Sequence, residues 1–91
     1  MRNAHLSISL PKEKKNKIED IKKKWDVSAR FYIAHRIMAY AEGLIEPNFE
    51  KPSRPLPYNM DFKISPNMKE YIEVRAKELG VSKSALIRAL I

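Results

Sequence analysis

The 91-residue sequence has no cysteine, no glutamine and no threonine, and only two glycines. The absence of cysteine excludes disulfides and thiolate metal sites. His5 and His35 are the only histidines, and two cannot make a zinc site alone. No apolar run approaches the ~20 residues of a membrane span, and the N-terminal stretch lacks the apolar core of a secretory signal. A soluble cytoplasmic chain with no membrane partner is therefore expected. Paired carboxylates, a nucleophile–base set, a glycine-rich phosphate loop and a metal cluster are all missing. The expectation is a protein that is not an enzyme and has no cofactor, no metal and no small-molecule substrate.

Charge is plentiful. Eighteen Lys and Arg stand against eleven Asp and Glu, a net charge of +7, and a surplus of that size on a small chain suggests a polyanion partner. The surplus is uneven: residues 1–40 hold ten basic and four acidic residues, and residues 41–91 hold eight and seven. Sparse Gln and Cys with abundant charge is also what hot environments favour, although a low-GC genome would produce part of that bias.

The sequence repeats itself at an offset of 54 residues. Lys15, Ile18, Glu19, Lys23, Val27, Ser28, Ile33 and Ile37 fall on Lys69, Ile72, Glu73, Lys77, Val81, Ser82, Ile87 and Ile91 without a gap. Each copy has the same layout. Residues 5–10 and 59–64 alternate polar and apolar, the mark of a strand with one buried face. Helices are expected over 12–25 and 66–79, the first opened by Pro11, the second by Ser65 as N-cap and Pro66 at the first helical position. Their apolar stripes are Ile18, Ile21 and Trp25, with Trp25 expected in the core, and Met68, Ile72, Ala76 and Leu79. Gly80 suits a left-handed C′ position, which Asp26 fills less well. Ser28 and Ser82 then cap second helices over 28–42 and 82–91. Phe31, Ala34, Ile37, Met38 and Ala41 are the apolar positions of one; Ala85, Leu86, Ala89 and Leu90 are those of the other. His35, beside apolar neighbours, is expected to be structural. Four prolines between Leu44 and Tyr58 exclude a helix or central strand there. The organisation is thus a first copy over 1–43, a proline-rich linker over 44–58 and a second copy over 59–91. A unit of ~40 residues rarely folds alone, so two copies suggest an α+β, mostly α, pseudo-dimer.

A polar-alternating strand followed by two helices resembles the ribbon–helix–helix family of MetJ and Arc type. The stretch Leu79-Gly80-Val81-Ser82-Lys83-Ser84-Ala85-Leu86-Ile87-Arg88 carries the resemblance best. Trp25-Asp26-Val27-Ser28-Ala29-Arg30-Phe31-Tyr32-Ile33 keeps the Val-Ser pair and departs elsewhere. Two such units in one small basic chain are similar to tandem regulators of hyperthermophilic archaeal viruses, for which the compartment would be the host cytoplasm. The resemblance implies a two-stranded antiparallel ribbon that enters the major groove of double-stranded DNA. The strands pair within one chain or between two; both arrangements stay open.

On that reading, His5, Ser7 and Ser9 of the first strand and Asn59, Asp61 and Lys63 of the second face the bases. Ser7, Ser9 and Lys63 are the principal readers, with His5 and Asn59 at the margins. Asp61 sits badly against phosphates, so it either accepts from a cytosine or belongs to a strand that does not face DNA. The starts of the second helices would hold phosphates through Ser28, Ala29 and Arg30 and through Ser82, Lys83 and Ser84, with Arg2 in an N-terminal arm. The lysines of residues 12–24 read mainly as a solvated face. The function implied is sequence-specific transcription regulation with self-association on DNA. The alternatives are an unspecific DNA-coating protein and an antitoxin-like interaction module. Antitoxins usually carry a disordered toxin-binding tail, whereas this sequence runs to its end in a helical pattern.

Overall fold

The computed structural model describes residues 4–49 and 56–91. The elements follow the chain as β1 (Ala4–Leu10), α1 (Lys12–Trp25), α2 (Ala29–Ala41), β2 (Tyr58–Ile64), α3 (Pro66–Leu79) and α4 (Lys83–Leu90). The architecture is α+β and mostly helical: one two-stranded sheet and four helices among the described residues. Each strand and helix of the second half begins 54 residues after its counterpart in the first.

Local chemistry sets the boundaries. Ser28, Ser65 and Ser82 each hold an extended backbone and accept, through Oγ, the amide of the residue three positions on, at 3.0 to 3.2 Å. Ser28 and Ser82 are thus the N-caps expected of the later helices, each just outside the first helical residue. The first helix of each half ends in a left-handed residue, Gly80 at φ 70° and Asp26 at φ 51°. Asp26 is the one non-glycine residue with positive φ among those described. Tyr58, at the end of the proline-rich stretch, belongs to β2, where it pairs with Leu10. Of the rest of that stretch, Ile45 packs against the core and the amide of Asn48 donates to the carbonyl of Ala89 at 2.8 Å.

β1 and β2 pair antiparallel, with Ala4 opposite Ile64 and Leu10 opposite Tyr58. The pairing therefore lies within one chain. Ser7 and Asp61 stand opposite each other at its centre, and these two residues are themselves 54 apart. Leu6, Ile8, Leu10, Phe62 and Ile64 turn inward and join Ile18, Ile33, Ile37, Ile72, Leu86, Ile87 and Leu90 in one buried cluster. Fully burying such a side chain contributes about 1.5–3 kcal/mol, so a core drawn from both halves replaces what neither could assemble alone. α4 is buried at Leu86, Ile87, Ala89 and Leu90, on more than one side, as befits a helix that touches β1, α2 and α3.

Several expectations of burial fail, among them Leu79, which was placed on the apolar stripe of α3 and is 43% exposed. Trp25 is not core: 64% of it is exposed, with the Lys24 ammonium 5.3 Å from its ring. It occupies the last turn of α1, whereas Ile18, two turns earlier, is fully buried. On α2 the buried positions are Ile33, Ile37 and Tyr40, whereas Phe31 and Met38 are exposed. That helix is apolar on most of its circumference, so period 3.6 alone admits two stripes, and the longer aliphatic one docks. His35 follows the outer stripe; it is exposed and stacks on Phe31 with ring centroids 6.4 Å apart.

Candidate nucleic-acid interface

Strand alternation places His5, Ser7 and Ser9 on the face opposite the core, and the register sets them against Lys63, Asp61 and Asn59 respectively. All six expected readers therefore share one face of one ribbon. Five are exposed and Ser9 is half-buried. The pairs are joined across the strands. The Ser7 hydroxyl donates to the Asp61 carboxylate, and the Ser9 hydroxyl donates to Oδ1 of Asn59 at 2.9 Å. Asp61 is thereby held on the ribbon face by a neutral donor, and a carboxylate with one acceptor position used keeps others for an incoming amino group.

The starts of α2 and α4 flank the ribbon at opposite ends. His5, Asp61 and Lys63 line a recess of about 440 Å³ with Ser28, Ala29 and Arg30. At the other end Ser84 Oγ accepts the amide of Ser9 at 3.1 Å, while the Arg88 guanidinium donates to the Ser9 carbonyl and to Ser84 Oγ at 3.0 and 3.1 Å. The Ser84 hydroxyl, expected to meet phosphate, is thus engaged inside the fold. The Ser28 and Ser82 side chains take one first-turn amide each. The amides of residues 29 and 30, and of 83 and 84, have no helical acceptor and lie at the positive ends of their helix dipoles, where an anion is stabilised. Arg2 lies outside the described residues.

Arg88 was not singled out by the sequence reading. The signal was present, because Ser84 and Arg88 are four apart and so share one face of a helix. A second missed group gathers behind the ribbon. Lys14 and Lys17 donate to the carbonyl of Ile91 at 3.3 and 3.0 Å, and Arg36 donates to the carbonyl of Leu90. These cations meet the negative end of α4. Burial, then the charges of Lys14 and Arg36, lower the pKa of the Lys17 ammonium. Two other lysines of α1 have local partners: Lys15 lies 4.3 Å from the Tyr58 ring centroid, and Lys22 pairs with Glu19 at 3.7 Å.

Among the described residues no group of three His, Asp or Glu side chains could hold a metal ion. No described helix is long and apolar enough to cross a membrane. No family model, curated protein or solved structure matches the chain.

Proposed function

We propose that this chain is a transcription regulator of ribbon–helix–helix type that carries both units of the ribbon in one polypeptide and inserts it into the major groove of double-stranded DNA. The observation that carries the reading is the register. The 54-residue offset that aligns the two halves of the sequence also relates the two residues at the centre of the ribbon, as a pseudo-twofold unit requires. Six polar or charged side chains then lie on one face of a two-stranded ribbon, an element the major groove admits. Free amides at the starts of α2 and α4 flank it for phosphates on either side. The net charge of +7 supplies the attraction to the backbone. A regulator of this kind works in the cytoplasm, and association of several chains along a multi-site duplex belongs to the same reading.

The test is a titration of the purified protein with DNA from upstream of its own gene and with a shuffled duplex of equal length, each at two salt concentrations. Tight binding to the first, weakened in Ser7→Ala, Ser9→Ala and Lys63→Ala variants, is expected. Equal affinity for both that collapses as salt rises would leave only backbone contacts and a coating protein. Binding to neither would sink the DNA reading.

A further inference from the structure

We infer that the DNA this ribbon takes is non-palindromic and is bound in a single orientation. The inference rests on the ribbon reading above and deepens it. A ribbon built from two identical chains presents the same side chains to both halves of its site, which is why such proteins meet palindromes. Here the dyad-related positions differ at every level. The 54-residue offset sets His5 against Asn59, Ser7 against Asp61 and Ser9 against Lys63.

The cross-strand pairing sorts these unlike residues into unlike ends. One end carries His5 opposite Lys63, with Arg30 beside them in the same recess. All three side chains are nitrogen donors when protonated, and none carries an oxygen. The other end carries Ser9 opposite Asn59, with Ser84 beneath them. Arg88 at that end turns Nη1 onto the Ser9 carbonyl and the Ser84 hydroxyl, so that nitrogen is engaged within the fold. The ribbon face therefore carries His5 and Lys63 at one end, Ser9 and Asn59 at the other, and a single carboxylate at the centre.

The three levels differ in what they ask of a base. The donors of the Lys63 end match the O6 and N7 acceptors of guanine. The central carboxylate of Asp61 is complementary to the amino group of cytosine and repels a guanine O6 in the same place. At the far end Oδ1 of Asn59 is engaged by Ser9, which leaves its amide N–H groups to donate to a purine N7. The central cytosine becomes a guanine in its own two-fold image, and the Lys63 end calls for guanine where the Asn59 end accepts either purine.

Selection of duplexes by the full chain from a pool with a randomised segment tests this. The expected product is a non-palindromic consensus. A duplex that repeats the half read by the Asn59 end, with adenine as its purine, should bind at least about tenfold more weakly, because the Lys63 end then meets no guanine O6. Asp61→Ser makes the central pair alike on both strands. It should relax discrimination at the central position by about tenfold while leaving the preference for guanine at the Lys63 end. A palindromic consensus, or that symmetrised duplex bound as tightly as the selected one, would overturn the inference and leave the ribbon reading standing. A pool that returns no preferred sequence would overturn both.

Discussion

Asp26 holds the left-handed position that closes α1, where Gly80 does the same for α3. Residues with a Cβ enter that region at a cost, which Asp bears better than most and Gly does not bear at all. Asp26→Gly is expected to stabilise the protein by about 0.5–1 kcal/mol, since the open surroundings of Gly80 show that this turn needs no side chain. Denaturant unfolding of the two proteins measures it. Tyr32 gives a pH-dependent outcome. Burial raises the pKa of its phenol, opposed by the nearby charge of Arg36. The folded state thus keeps the phenol proton to a higher pH than the unfolded chain does. Its contribution to stability is complete below the ordinary tyrosine value and is lost as pH rises through the folded one. Stability should fall as pH rises above the ordinary tyrosine value of about 10, and Tyr32→Phe should shrink that fall. A variant that falls as steeply as the parent would contradict the assignment to Tyr32.

At the scale of elements, burial separates residues that hydropathy groups together. Ile18 and Trp25 fall on the same side of α1 by period, yet Ile18 is fully buried and Trp25 is mostly exposed. Ile18→Ala is expected to cost about 2–5 kcal/mol, as large-to-small changes in cores do. Trp25→Ala should cost less than about 1 kcal/mol. Comparable losses in thermal unfolding would mean that Trp25 is packed in solution. The same contrast shows what was legible in the sequence. Strands, first helices and capping serines were readable because alternation, Pro66, Gly80 and the Ser-x-x spacing each have a local cause. The docked stripe of α2 was not, because Phe31 and Ile33 are both apolar and only the neighbours of the helix decide between them. Nor was the bond from Arg88 to the Ser9 carbonyl, whose ends are 79 positions apart. The six ribbon-face positions followed from period two alone, whereas their partners across the strands required the register.

For the molecule as a whole, the pairing of β1 with β2 inside one chain has a direct thermodynamic signature. A ribbon shared between two chains would give a melting temperature that depends on protein concentration. Here the melting temperature should not move on dilution, and calorimetry over a dilution series checks it. A melting temperature that falls on dilution would mean that ordered chains exchange strands.

The same pairing governs the order in which the structure can assemble. Even its nearest partners, Leu10 and Tyr58, are 48 positions apart. The contacts within each helix span three or four. Closing so long a loop has an entropic cost that the ribbon recovers only once both strands are in place. Helical signal should therefore develop ahead of the ribbon during refolding, and the face that meets DNA should be the last surface completed. Mixing experiments that follow far-ultraviolet ellipticity alongside DNA-binding competence would show the interval between them. For this chain, becoming folded and becoming able to read a sequence are the same final event.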